Sequence, residues 1–363
     1  MSVLERTVNT ASRVVAIAGD GAFSQRWRDY IPSLGFEIRK VDLYSPSLMA
    51  DLDGCCVLLA SLSQDLPRDM MFGRAILKAV ATRGMAVYPS EASAWHFEDK
   101  IAQFLIFSAM NVTVPQTWVF FDHADAKRFL LETEFPLIFK LRTGAGGLTV
   151  RLLQSREQAM RLIAQIFGRG IRTHSVVTGI QRLATAAKAK PFQLQELLPR
   201  AKRAGTRFLQ SRFSLQREKG YALFQEFIPD CDYSVRIAVI GPRAFAYRRN
   251  NEKGDFKSGV QSVRVSLSRE EIPVAMVQTA FEVSERLGCQ SMGYDFLQPP
   301  EGGAPILLEM CHTFPPGPIV NAHGYFTPSL TWVPGGQHPA DLIALDLLTP
   351  VIETLGQARD YGS

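Results

Sequence analysis

The sequence predicts an α/β protein: an N-terminal open, mostly parallel α/β unit followed by a two-lobed α+β module. Three observations predict it. Short apolar runs alternate with helical stretches over roughly the first 90 residues. A glycine-rich loop then joins one strand to another without opening a helix. Further on, two strand-like segments flank a turn-rich loop and carry one carboxylate each.

In chain order, residues 14–18, 36–43, 55–60 and 85–88 read as short buried strands, with the clearest helix over 72–83. The turn Gly19-Asp20-Gly21 invites a dinucleotide reading. The third glycine of that fingerprint would fall at Ser24, however, and no acidic residue is placed for a ribose. A tight strand-to-helix turn explains the glycines. A second unit opens near Glu98-Asp99-Lys100. Residues 100–110 read as a helix with Ile101, Leu105 and Ile106 on its apolar face. Strand 118–121, helix 122–134, strands 136–141 and 148–153 and helix 155–167 follow. Beyond a basic stretch come strands 221–227, 234–240 and 244–248, helix 273–287, the hairpin 293–310 and helix 339–348.

The chain has 363 residues, 46% of them hydrophobic, enough for two or three domains with sizeable cores. The first residues lack the basic start and apolar run of a signal peptide, and apolar runs such as 55–60 fall far short of the ~20 residues that span a bilayer. No membrane association is expected. The five cysteines include no CxxC pair, which predicts a reduced, cytoplasmic setting. The net charge of +5 is uneven. Residues 168–220 carry twelve Lys/Arg against two Glu, and the rest carries 28 Lys/Arg against 33 Asp/Glu. The basic segment is either a solvated excursion or a surface for an acidic partner. It lacks the interleaved aromatics of a base-stacking platform, which argues against nucleic acid.

Three pieces carry chemistry. The first is the hairpin. Asp295 and Glu309 lie equidistant from Gly302, so a hairpin centred there sets them opposite each other with Cβ atoms about 5 Å apart. Like charges so placed repel unless a cation or a shared proton lies between them, and a hard divalent ion such as Mg²⁺ suits two carboxylates. A one-residue slip would put the two side chains on opposite faces. The second piece is Lys140-Leu141-Arg142-Thr143-Gly144-Ala145-Gly146-Gly147. Its small residues let backbone N–H groups close over phosphate oxygens, with Lys140 as a point charge; a plain hairpin loop is the alternative. The third is Phe224-Gln225-Glu226-Phe227-Ile228-Pro229 with Asp232. There an extended backbone could meet an adenine edge, Phe227 and Ile228 could pack on the purine, and Asp232 could accept from ribose hydroxyls.

In order and spacing, the three pieces resemble the ATP-grasp superfamily over about residues 90–320. The resemblance implies a pre-ATP-grasp α/β domain at 1–95, a small lobe with the glycine loop at 96–167, a basic insertion at 168–220, and a large lobe with the metal hairpin and a C-terminal helix at 221–363. It implies that Lys100 and Lys140 bind ATP phosphates and that Gly144, Gly146 and Gly147 form a mobile phosphate loop. It places Gln225, Glu226, Phe227 and Ile228 at the adenine, Asp232 at the ribose, and Mg²⁺ on Asp295 and Glu309. The stretches around Arg236, Tyr247-Arg248-Arg249-Asn250 and Gly254-Asp255-Phe256-Lys257-Ser258 resemble the ribosomal-protein glutamate ligases. That likeness implies catalytic roles for Arg236, Arg248 and Lys257, with Arg248 steadying the transferred phosphoryl group. The segments GYDF and LLEMCHTF resemble ATP-grasp proteins encoded beside bacterial polysaccharide genes.

One departure stands out. Such families carry Glu-x-Asn in the metal strand, and here the run is Glu309-Met310-Cys311. A neutral thiol is a poor Mg²⁺ ligand. His312, Thr313 or water replaces the oxygen, or one metal position is weakened; a soft-metal site of Cys311, His312 and His323 is the sharper alternative.

The resemblance implies an ATP-dependent carboxylate–amine ligase that forms an amide through an acyl phosphate. Its partners would be small-molecule or peptide carboxylates and amines, some of them acidic, and a homodimer is compatible with it. The alternatives are an ATP-dependent phosphotransferase, or a non-catalytic ATP sensor that binds polyanions through the basic segment.

Overall fold

The four N-terminal apolar runs form β1 (Val14–Ala18), β2 (Glu37–Val41), β3 (Val57–Ala60) and β4 (Ala86–Tyr88), a parallel sheet in the order β2-β1-β3-β4. This is a computed structural model, and it describes residues 12–64, 66, 68–144, 149–172, 217–251, 256, 262–299 and 302–360. β1 is apolar throughout because both of its faces are covered. Val15 and Ile17 pack with Trp27 of α1 (Ala22–Tyr30), whereas Ala16 and Ala18 pack with Leu77 and Val80 of α2 (Arg74–Thr82). Gly19, at φ +90°, turns the chain so tightly that a Cβ there would lie 2.7 Å from the Ser61 carbonyl.

After α3 (Glu91–Ala94), Asp99 caps α4 (Lys100–Ala109) by accepting from Ala102 N–H at 3.1 Å. Ile106 and Phe107 of α4 join the large-lobe core and Ile101 the small-lobe side, so one helix bridges both lobes. Leu105, expected on the buried face, is 57% exposed, and Gln103 is buried instead.

The small lobe holds β5 (Thr117–Phe120), α5 (His123–Glu132), β6 (Leu137–Lys140), β7 (Val150–Leu153), α6 (Arg156–Phe167), the two-stranded pair β8 (Ile171–Arg172) and β9 (Arg217–Glu218), and β10 (Ala222–Glu226). Its antiparallel sheet runs β5-β10-β6-β7. Leu130, Leu162, Ile163 and Ile166 cover Phe139 and Phe224 on one face. Most of the basic segment, residues 173–216, lies outside the described residues.

The large lobe contains β11 (Tyr233–Ile240), β12 (Arg243–Asn250), β13 (Arg264–Ser266), α7 (Val274–Leu287), β14 (Ser291–Leu297), β15 (Ile306–Cys311), β16 (Gly324–Phe326), β17 (Trp332–Pro334) and α8 (Pro339–Asp360). Its sheet runs β15-β14-β11-β12-β16-β17, with β13 also on β12. Val235, Ile237 and Ala246 face α7, burying Met276, Val277 and Ala280. Ala238, Ile240 and Phe245 face the other way, onto α8 and the N-terminal unit. α8 outruns the expected 339–348 because Val351 continues its buried stripe beyond Pro350. No helix among the described residues is long and apolar enough to cross a membrane.

Candidate functional site

Asp295 of β14 pairs directly with Glu309 of β15, so the two side chains share a face. The hairpin is not regular down to its turn. Phe296 pairs with Leu307, leaving Leu308 as an extra residue on β15. This bulge lets Leu307 enter the helix-covered core while Leu308 lines the cleft described below.

The same face continues across the sheet. Arg236 of β11 pairs with Asp295 on one side and Tyr247 of β12 on the other, and Arg249 lies two residues further along β12. Arg236 grips Asp295 with both arms, Nε to Oδ1 at 2.5 Å and Nη2 to Oδ2 at 2.6 Å, and Arg249 Nη1 also donates to Oδ2. Burial alone would raise the Asp295 pKa. The two guanidinium charges outweigh it and hold the carboxyl well below the usual carboxylate range. Arg248 pairs with Val235, so it lies on the opposite, helix-covered face of the sheet, stacked over the Tyr233 ring at 5.3 Å. The arginine of β12 that reaches Asp295 is therefore Arg249. The short Ile240–Arg243 hairpin signals this, because strand alternation counted from it puts Arg249, not Arg248, beside Arg236.

A cleft opens between the lobes, lined by Lys100, Gln103, Phe104, Phe107, Val114, Thr117, Lys140, Leu223, Gln225 and Leu308. It brings together three residues singled out in the sequence: Lys100, Lys140 and Gln225. Its apolar walls from α4 and the bulge residue Leu308 were not legible there. Buried Gln103 anchors this wall: its Nε2 donates to the Met310 carbonyl at 2.8 Å and its Oε1 accepts from Met310 N–H at 3.1 Å. A polar residue on the apolar stripe of α4 was the available signal. Burial pushes the Lys140 amine down to about 8, with Glu309 pulling it back up and Lys100 pushing it further down.

The loop after β6 is tied at its start. Arg142 donates to Asp99 at 2.9 Å and to Glu218 at 3.2 Å, and Lys100 Nζ donates to the Gly144 carbonyl at 2.7 Å. Gly144 has φ +117°, and a Cβ there would lie 2.5 Å from the Thr149 methyl. Gly146, Gly147 and Lys257 lie outside the described residues.

At the end of β10, Gln225 Nε2 donates to Thr117 Oγ1 at 2.9 Å. Glu226 is exposed, and its backbone N–H donates to the Gln116 carbonyl at 2.8 Å. Phe227 and Ile228 are half-buried, with the Phe227 ring edge-on to Phe256 at 6.1 Å. Asp232 is exposed and is not among the residues that line the cleft.

Cys311 pairs with Gly293 on the Asp295 face, and its partly buried thiol is pushed up to about 12 by desolvation and by Glu98. Its Sγ lies 3.0 Å from Thr313 Oγ1 and 3.7 Å from Glu98 Oε1. Burial and the nearby Glu309 raise the Glu98 pKa, with Lys100 opposing. His312 points away and packs on Phe97 at 4.4 Å between ring centroids, and His323 is exposed. Among the described residues no three His, Cys, Asp or Glu side chains converge to hold a metal by themselves. The soft-metal arrangement of Cys311, His312 and His323 is therefore not assembled.

A hard cation that brings its own phosphate oxygens does fit. A carboxylate offers about four lone-pair positions, and the two arginines take three of those on Asp295. The fourth faces Glu309, whose side chain engages it in the absence of a cation. Mg²⁺ commonly takes one or two carboxylates plus substrate phosphates.

No family model and no curated protein matches the sequence. Solved structures resemble its fold. One is D-alanine–D-alanine ligase from Bacillus anthracis complexed with ATP, at 12% identity and TM-score 0.55, over 97% of this chain and 99% of that one. Another is the ATP-grasp ligase PsnB with a phosphomimetic precursor variant, Mg and ADP, at 15% identity and TM-score 0.55, over 94% and 99%. A third is the biotin carboxylase domain of Hydrogenobacter thermophilus 2-oxoglutarate carboxylase with MgADP, at 12% identity and TM-score 0.58, over 91% of this chain and 68% of that one. The fold is that of the ATP-grasp ligases.

Proposed function

We propose that this chain is an ATP-dependent carboxylate–amine ligase that forms an amide through an acyl phosphate, with ATP and Mg²⁺ as cofactors. One observation carries the proposal. A cleft bounded by Lys100 and Lys140 lies beside a sheet face that presents Glu309, Asp295, Arg236 and Arg249 across adjacent strands. The structural neighbours named above include complexes with ATP and with Mg and ADP.

In this reading Phe104, Phe107 and Leu308 enclose the purine, and Gln225, Glu226, Phe227 and Ile228 meet its edge. Asp232 turns to the ribose. Lys100 and Lys140 offset the phosphate charge, with Lys100 exchanging the Gly144 carbonyl for a phosphate oxygen. Gly144, together with Gly146 and Gly147, shields the phosphates from water. Glu309 and Asp295 would hold Mg²⁺, which when bound would neutralise charge developing on the phosphates. The γ-phosphoryl passes to a carboxylate oxygen as ADP leaves. An amine nitrogen then attacks the acyl carbon, losing a proton and expelling phosphate. Arg236 and Arg249, preset by Asp295, steady the transferred group in the role that the resemblance implies for Arg248, and Lys257 remains a candidate beside them. The substrates are small-molecule or peptide carboxylates and amines.

An ADP-release screen over pooled carboxylates and amines, with mass spectrometry of the products, tests the proposal. ADP and an amide should appear together and be lost in Glu309→Gln. ADP with a phosphorylated carboxylate and no amide would replace ligation by phosphoryl transfer.

A further inference from the structure

The metal-facing side of β15 stops short of a full oxygen set. Beyond Glu309, its next position on that face is Cys311, opposite Gly293, so the second rung offers a sulfur and a hydrogen. Sulfur is a soft donor and suits Mg²⁺ badly. A Cβ at residue 293 would lie 3.3 Å from the Cys311 carbonyl and 3.4 Å from Arg236 Cδ, a tight fit against this rung.

Three side-chain oxygens surround the Cys311 sulfur: Thr313 Oγ1 at 3.0 Å, Glu98 Oε1 at 3.7 Å and Gln64 Oε1 at 4.0 Å. Thr313 Oγ1 is also within 3.4 Å of Gln64 Oε1, so those two engage each other. Glu98 is the carboxyl among them, and it is only 8% exposed. The backbone is bent to deliver it. Glu98 has φ +55°, a conformation side chains with a Cβ seldom adopt, and the bend is held by Asp99 N–H donating to the His96 carbonyl at 3.1 Å and by the Asp99 cap on α4. Glu98 also lies within electrostatic reach of Glu309 and Lys100. A buried carboxyl within reach of Glu309 is unfavourable unless a cation or a proton offsets the pair, and Lys100 offsets it most here.

We propose that Glu98, on the turn between α3 and α4, supplies the metal-site oxygen that β15 lacks at Cys311. This rests on the nucleotide–Mg²⁺ reading above. Because no three such side chains converge among the described residues, Glu98 acts through a metal-bound water, of which Mg²⁺ keeps several.

The test is Mn²⁺ binding to the full-length protein with ADP, followed by electron paramagnetic resonance. E98A should weaken Mn²⁺ binding about tenfold or more, the usual cost of losing a group that orients a metal's ligands. Metal-free ADP affinity should stay within about twofold. E98M, which fills the volume without an oxygen, is read in the same way should E98A not fold. C311N puts an amide oxygen on β15 itself. It should tighten Mn²⁺ binding several-fold and restore it in the E98M background. Wild-type Mn²⁺ affinity in either folded Glu98 variant, or no rescue by C311N, overturns the role of Glu98. If the unaltered chain takes neither ADP nor Mn²⁺, the nucleotide-site reading falls with it.

Discussion

The side-chain amide of Gln103 satisfies both backbone groups of Met310, closing the outer edge of β15 against α4. This contact fixes Glu309, one residue away, relative to Lys100 at the start of the same helix. Gln103→Leu would leave a buried N–H and a buried C=O unpaired, each costing about 1–3 kcal/mol. Urea unfolding should show a loss of about 2–6 kcal/mol, and ADP affinity should fall with it. Unchanged stability would mean that water reaches the strand edge.

The two paired carboxylates should not behave alike. Asp295 balances Arg236 and Arg249 inside the protein, and removing one partner of a buried ion pair costs about 3–5 kcal/mol. Asp295→Asn should therefore lower the melting temperature as well as abolish turnover. Glu309→Gln should reduce turnover at least about a hundredfold with melting little changed. Comparing the two melts checks the assignment; equal destabilisation would contradict it.

The pairing of Asp295 with Glu309 was legible because both strands are short and period two leaves few registers. Leu308 escaped because a bulge leaves no mark in an apolar run. The choice between Arg248 and Arg249 turned on a single residue, which flips the face, and a motif-based resemblance does not count strand alternation. Gln103 and Glu98 were the least legible, since each acts on residues over 200 positions away. Strands β13, β16 and β17 have three residues each, too few to show a period.

Lys140 should make nucleotide binding pH-dependent. Burial lowers its amine to about 8, so below that pH it carries the charge that phosphate needs. Above pH 8 the free protein has lost this proton, and binding must take one up. ADP affinity should then fall by up to about tenfold per pH unit. In the free protein the sign is opposite: stability rises between pH 8 and about 10.5, where the unfolded lysine keeps a proton that the folded one has released. Calorimetry in buffers of different ionisation enthalpy at pH 8.5 should detect proton uptake, and Lys140→Arg should remove it.

A buried histidine pair should make the fold acid-sensitive. His96 is fully buried and His312 is 2% exposed; burial pushes them down to about 4 and about 3, with His96 adding to the shift of His312. Both stay neutral in the folded chain at pH values where an unfolded histidine, near 6.5, takes a proton. The unfolded state therefore binds more protons below pH 6.5, and stability falls as the pH drops. Each histidine contributes about 1.4 kcal/mol per pH unit until its folded value is reached, so the pair removes about 5 kcal/mol between pH 6.5 and 4.5. His312 lies beside Cys311 on β15 and packs on Phe97, whereas His96 precedes the Glu98 turn, so charging either would loosen the joint that carries Glu98. His312→Asn should lower stability at pH 7.5 but roughly halve the pair's share of the slope between pH 6.5 and 4.5. Urea midpoints for both proteins across that range supply the comparison. Parallel slopes would mean that His312 is already protonated in the folded chain.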